Sequence, residues 1–243
     1  ETPIPTLTPT PTTGAASGLV AYWKMEEGSG GTLFDSSGNN HTLTIDGTPN
    51  WSSNLPPTSI SDTQSFLFDG ATFARLTNSS DNSFFDFTTG LTLEAWIKTT
   101  NTNDPGIVSK WTSGNGYMMF ITGGTNGKIE NNFAGGTQVS GNTKVNDGNW
   151  HHVAITWDGS QRAVYIDGIL DVTPLLWNTS PTNSGTTFLL GSYNNGGEGK
   201  LIGNIDEVKV WNQGRTEAEI RSDGGVAVIP TATPTPTLTL TPI

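Results

Sequence analysis

Residues 147–168 read DGNWHHVAITWDGSQRAVYIDG. Two runs rich in aromatic and β-branched residues, WHHVAITW and RAVYI, stand on either side of a short polar DGSQ. Asp-Gly pairs bound the whole stretch. Side chains of this type suit a pleated surface, and Asp-Gly supplies the positive φ values of tight hairpin turns. The stretch therefore predicts two antiparallel strands. The same grammar extends outward through GLVAYWKM, SFLFDG, TFARL, GLTLEAWIKT, GYMMFIT, GKIENNF, TTFLLGS and GNIDEVKVW. Asp69-Gly70, between SFLFD and TFARL, reads as a further hairpin turn. Many runs are apolar on both alternations, as strands between two stacked sheets are. About a dozen strands are expected, with one short helix at TEAEIR. Thr216 and Glu219 have capping-box spacing there.

The totals agree. The 243 residues carry 22 Asp and Glu against 11 Lys and Arg, a formal net charge of −11. Such a surface argues against nucleic acid and anionic membranes as partners, because both need basic patches. It suits divalent cations. There is no cysteine, which removes disulfides, thiol catalysis and cysteine-held zinc. No apolar run approaches the roughly 18 residues of a membrane helix. The absence of an initiating Met and of a signal peptide reads as a mature piece of a longer precursor.

Residues 1–13, ETPIPTLTPTPTT, and 230–243, PTATPTPTLTLTPI, hold eight of the 14 prolines. Proline blocks helix and removes ladder donors, so both ends read as extended spacers. The expected organisation is a Pro/Thr-rich N-terminal tail over 1–17, one domain over 18–225 and a Pro/Thr-rich C-terminal tail over 226–243. TLTLT in the second tail has a strand's period of two, and PTLT and TPI occur in both tails. This shared vocabulary makes Leu238, Leu240, Ile243, Ile4 and Leu7 candidate subunit-connecting residues. They would add to a neighbour's sheet edge.

Four stretches in order resemble the laminin-G-like, concanavalin-A-like jelly-roll domains of the pentraxin-like superfamily. They are GLVAYWKMEEGSGGTLFDSSGNNHTLT, LTLEAWIKT, the opening 147–168 stretch, and FLLGSYNNGGEGKLIGNIDEVKVWNQGRTEAEI. The resemblance covers almost all of residues 18–222. It implies an all-β, two-sheet antiparallel jelly-roll sandwich, often with a bound calcium. It implies little about function, because this fold carries lectins, glycosidases, adhesion modules and spacers.

Calcium takes six to eight hard oxygens. DSSGNNH offers Asp35, Asn39 and Asn40, and EEGSG offers Glu27. The resemblance places the ion between the first loop and the Asp of GNIDEV, here Asp206. A structural role is expected, pinning the N-terminal loop to the late strand. The competing reading is that Asp35 merely caps a turn and Asp206 bonds to backbone.

Glycosidase relatives carry Glu-x-Asp-x-x-Glu on one strand face, and that spacing is absent here. Asp206 and Glu207 are adjacent, so regular alternation sends them to opposite faces. Retaining hydrolysis needs a close carboxylate pair; no enzyme activity is expected. His151 and His152 likewise split between faces, which excludes a shared metal or relay. Exposed aromatics stack on sugars. Trp51, Trp111 and Trp177, in loop-like context, and Tyr193 are the weak carbohydrate-binding candidates, with plugging of the sandwich ends as the alternative. The sequence thus points to a non-catalytic extracellular structural or adhesive module. It would be calcium-stabilised and joined to copies of itself or to adjacent domains through its tails. The alternative is a carbohydrate-binding module of a secreted, multidomain, glycan-active enzyme.

Overall fold

The computed structural model describes residues 18–181 and 185–227. The tail residues Ile4, Leu7, Leu238, Leu240 and Ile243 lie outside these. The described residues form seventeen strands: β1 (Leu19–Trp23), β2 (Thr32–Leu33), β3 (Leu43–Asp46), β4 (Trp51–Ser52), β5 (Ser65–Asp69), β6 (Phe73–Leu76), β7 (Leu91–Thr99), β8 (Gly106–Thr112), β9 (Asn115–Ile121), β10 (Lys128–Phe133), β11 (Val139–Lys144), β12 (Trp150–Trp157), β13 (Gln161–Ile166), β14 (Ile169–Leu170), β15 (Leu175–Leu176), β16 (Leu189–Leu190) and β17 (Ile202–Trp211). One α-helix, α1 (Glu217–Asp223), follows. The excess over a dozen comes from two-residue strands, too short to show any periodicity.

All pairings are antiparallel. A nine-stranded sheet runs β14-β13-β12-β7-β17-β5-β4, with β1 added on β17 and β15 on β13; an eight-stranded sheet runs β11-β10-β9-β8-β16-β6-β3-β2. This is the expected jelly-roll sandwich. Between the sheets one continuous core holds Trp23, Phe66, Phe68, Tyr117, Phe133 and Trp157 with aliphatic neighbours. The opening stretch forms the β12–β13 hairpin, with Trp157 opposite Arg162. Asp167 and Gly168, at φ of 53° and 74°, then make the tight turn into β14.

Asp69-Gly70 departs from expectation. It does not close a hairpin, because β5 lies in one sheet and β6 in the other. Asp69 Oδ1 accepts the Ala71 and Thr72 N–H groups and bends the chain across the sandwich edge. Local turn chemistry sets the bend but not the strand's partner.

Helix α1 lies over the outer face of the nine-stranded sheet. Its start is a complete capping box between Thr216 and Glu219. At its end, the Gly224 carbonyl accepts the Trp96 indole N–H at 2.8 Å. Arg215 anchors the entry by pairing with Glu219 and Asp223.

Candidate functional site

Strand β17 changes partners half-way along. Residues Ile202–Ile205 pair with β5, whereas Val208–Trp211 pair with β1. A bulge at Asp206–Glu207 marks the switch, with Glu207 at φ of 51°. Bulges of this kind re-aim side chains and are common beside functional sites. The fork between β1 and β5 opens here, and the segments leaving β1 and entering β5 bring Glu26 and Asp62 to it. The bulge also corrects the alternation argument. Asp206 and Glu207 do not part to opposite faces; both are buried and both act on Asp62.

Four carboxyl groups therefore meet. Glu26 accepts the Thr63 hydroxyl and the Thr63 and Gln64 N–H groups. Tyr22 donates its hydroxyl to Glu207. Asp62 lies within bonding reach of both Glu26 and Asp206, yet no N–H or O–H reaches either Asp62 oxygen, Asp206 Oδ2 or Glu207 Oε1. Carboxyl oxygens in such contact need a shared proton or a shared cation. Burial, and then the charges of Asp62 and Glu207, push Asp206 up to about 10. Burial and the neighbouring Glu26 likewise raise Asp62. Burial opposes ionisation of Glu26 as well, but its bonds from Asp62, Thr63 and Gln64 outweigh that and hold it low.

The other expected ligands sit apart from this fork. Asp35 Oδ1 accepts the Tyr22 and Ser37 N–H groups, and Oδ2 accepts the Ser37 hydroxyl and the His41 N–H. Asp35 thus organises its own loop. The Asn39 amide donates to the Leu19 and Val20 carbonyls, and Asn40 is an exposed turn residue at φ of 63°. Glu27 Oε1 accepts the Phe34 N–H, while its Oε2 is buried without a donor. Among the described residues no group of three or more His, Cys, Asp or Glu side chains is arranged to hold a metal ion. The donor chemistry of the fork nonetheless fits a hard cation: buried carboxylate oxygens that no hydrogen reaches.

The histidines do separate. His152 is buried on the outer face, edge-on to Trp96. His151 pairs with Asp167 at 2.9 Å and Asp147 at 3.3 Å, and the Asp167 bond raises it above the usual histidine range.

The aromatic candidates also divide. Trp51 packs edge-on against Phe66. Trp177 covers the buried Arg162 guanidinium at 4.7 Å. Both are partly buried plugs against the core. Trp111 and Tyr193 instead both belong to the outer face of the eight-stranded sheet, toward opposite ends of β8. Trp111 alternates with the inward pair Lys110–Tyr117 and so points outward. The Tyr193 ring lies directly over Gly106, where a Cβ would approach it to 3.0 Å. The Asn194 side chain accepts the Ser113 N–H and ties that loop to the end of β8. Between them, the outward rows Ser109–Met118–Asn132 and Gly106–Phe120–Glu130–Ser140 cross β8 to β11. Ser140 donates to Glu130 Oε2, leaving Oε1 buried and without a donor. Burial raises Glu130 above the usual carboxylate range. The sequence reading missed Phe120, Glu130 and Asn132, which strand parity in MMFIT and IENNF could have flagged.

The family model for the concanavalin A-like lectin/glucanase superfamily, of laminin-G type, matches residues 70–221. The chain belongs to this superfamily. A rat protein with sushi, von Willebrand factor type A, EGF and pentraxin domains (Rattus norvegicus) is 29% identical over 117 residues, 44% of this chain. The chain spans 3% of that relative's length. Domain 4 of AbnA, a GH43 extracellular arabinanase from Geobacillus stearothermophilus solved with arabinotriose, superposes with a TM-score of 0.63 at 19% identity, covering 85% of this chain and 98% of that one. The binding domain of botulinum neurotoxin DC in complex with SialylT gives a TM-score of 0.56 at 13% identity, covering 85% of this chain and 50% of the other. These structural likenesses are of fold.

Proposed function

We propose that this domain binds glycans on the outer face of its eight-stranded sheet. One observation carries the reading: Trp111 and Tyr193 stand on one face, above an apolar floor of Met118 and Phe120, with Glu130 and Asn132 beside it. Ring faces stack on sugar rings, and the carboxyl and amide groups take up hydroxyls. Superfamily neighbours solved with arabinotriose and with SialylT support a sugar ligand. The role is binding without catalysis. The carboxyl groups that interact directly, Glu26, Asp62 and Asp206, sit in the fork, where Asp206 is fully buried beyond a substrate's reach. An oligosaccharide array probed with the full chain is expected to show binding that falls at least tenfold in Trp111→Ala and Tyr193→Ala. Absence of any binding, or binding indifferent to both changes, would overturn the reading.

The fork is read as a structural calcium site held by Asp206, Asp62 and Glu26. The sequence reading placed Asp206 there with Asp35, Asn39, Asn40 and Glu27. Calcium would neutralise carboxylates gathered from β1, β5 and β17 and hold the fork closed.

A second reading, an extracellular module joined to its neighbours through the Pro/Thr tails, is favoured by a separate observation. Among the described residues, the sheet edge at β14 and β15 exposes Ile169, Leu170, Leu175 and Leu176. Apolar residues gathered on one edge suit association. No helix of the described residues is long and apolar enough to cross a membrane, and the secreted superfamily neighbour suits an extracellular setting.

A further inference from the structure

On the outer face of the nine-stranded sheet, beside α1, lies a groove of about 580 Å³. Its walls are Trp96, Trp150, Pro57 and Ile169, and the described chain ends on its rim at Val226 and Ala227. This volume is in the range of ligand sites. The groove has almost no hydrogen-bond code to offer. The Trp96 indole N–H is committed to Gly224 and that of Trp150 to Asn54. At the rim, Asp167 is held by His151 and the His152 N–H, and Arg221 by Gly168 and Glu217. What remains are indole faces and aliphatic surface, which select a neutral, apolar occupant of fixed shape.

The N-terminal tail has that chemistry. Residues 2–13 carry no charge, a useful property in a chain of net charge −11. Thr2 and Ile4 each precede a proline, which biases both toward extended or polyproline-II backbone before any contact forms. Aromatic-lined grooves recognise such segments, because little ordering entropy remains to be lost. Strand addition has less to work with at the exposed edge. There β14 and β15 are two residues each, Pro174 interrupts them, and the Leu170 N–H already donates to Glu217.

Geometry favours a second copy as the source. The described chain begins at Gly18, and Leu19 lies opposite Trp211, which is paired with Thr92. Trp150 lies at the other end of the same sheet, opposite Lys98. Six residues of strand separate the two ends, about 20 Å at roughly 3.3 Å each. Helix α1 and residues 224–227 occupy the direct path between them. Residues 8–17 span up to about 31 Å at roughly 3.1 Å each, so a groove that a second copy presents within that distance of Gly18 is in reach of Thr2–Leu7. We propose that the groove receives residues Thr2–Leu7 of a second copy, with Ile4 against Trp150 and Ile169. Such a contact is head-to-tail and does not close on itself, so it builds a filament. This rests on the second reading above and names its receiving surface.

Two variants of the full chain test it: Ile169→Asp, which breaks the groove at an exposed position, and Ile4→Asp, which breaks the tail. Sedimentation velocity over a concentration series is expected to show association of the native chain that weakens at least tenfold in each variant. Mixing the variants is expected to restore one-to-one dimers, because the intact tail of the first meets the intact groove of the second. A peptide of residues 1–13 is expected to change Trp fluorescence saturably in the native chain and not in Ile169→Asp. If the native chain associates but neither substitution matters, or if only removal of residues 228–243 matters, the groove assignment is wrong while tail linkage stands. If mixing restores nothing although each variant alone is monomeric, the tail binds in its own molecule and the proposal fails. A native chain that stays monomeric and ignores the peptide removes both.

Discussion

Two acidic clusters lie on the nine-stranded sheet, and they solve burial differently. Around Glu94 the acid has neutral companions, although Glu94 Oε2 and His152 Nδ1 make no hydrogen bond. Glu94 Oε1 accepts the Trp211 indole N–H at 2.6 Å, and His152 stands 3.5 Å from Oε2. Burial raises Glu94 to about 8 and lowers His152 to about 3, with Lys209 assisting the latter shift. Near neutral pH both are thus uncharged, and their approach is not an ion pair. The fork around Asp206 has no such relief. Tyr22 and Lys209 reach Glu207, but no donor reaches Asp62 or the outer oxygen of Asp206. A buried acid can be kept as an acid or can hold a cation; companions decide which.

The sharpest way to break this contrast is to test the proposed calcium. Chelation with EDTA is expected to lower the melting temperature by about 5–10 °C. That corresponds to about 2.7 kcal/mol for a site held at a hundred times its dissociation constant, in a domain of this size. Asp206→Asn is expected to abolish the difference and to raise the melting temperature in EDTA, because an amide stays uncharged in the fork without having to take up a proton on folding. Scanning calorimetry with and without calcium checks both. If Glu94→Gln removes the calcium response and Asp206→Asn keeps it, the two clusters have been assigned the wrong way round.

How much of this was legible beforehand follows from the same contrast. Hairpins came through wherever Asp-Gly joined two alternating runs, as in β12–β13, and the capping box at Thr216 marked α1. Asp206 stood out in GNIDEV. Its partners did not, because Glu26 and Asp62 sit in segments without periodicity and meet only where β17 changes neighbours. A bulge is one extra residue in an otherwise regular strand, so IDEVKVW reads as plain alternation and the joint burial of Asp206 and Glu207 escapes it. Trp111 and Tyr193 were both flagged, but their common face depends on which sheet owns β8. The same gap misassigned Asp69-Gly70.

A smaller effect separates Glu94 by charge alone. Its folded pKa, about 8, lies above the unfolded carboxylate value of 4.5. The stability it contributes is therefore fully present below about pH 4.5 and is lost as pH rises through 8. Glu94→Gln retains an acceptor for Trp211 but cannot ionise. It is expected to match the native melting temperature at pH 4.5 and to exceed it by a few degrees at pH 8.5, measured in EDTA to silence the fork. An equal shift at both values would mean that Glu94 is already ionised in the folded protein.

His152 gives the smallest and opposite slope. Its folded pKa, about 3, lies below the unfolded value of 6.5, because burial and then Lys209 disfavour the imidazolium. Protons bind the unfolded chain first, so stability contributed by His152 is complete above about pH 6.5 and is lost as pH falls toward 3. Between pH 6.5 and 4.5 this loss partly masks the acid-side behaviour of Glu94. His152→Gln is expected to flatten the acid limb of a melting-temperature profile while leaving the alkaline limb unchanged. Because Glu94 and His152 touch, the double variant should depart from the sum of the single ones by about 0.5–3 kcal/mol, as contacting residues do. Pairing either change with Asp206→Asn should add simply. Simple addition within the Glu94–His152 pair and strong coupling to Asp206 would dissolve the boundary drawn between the two clusters.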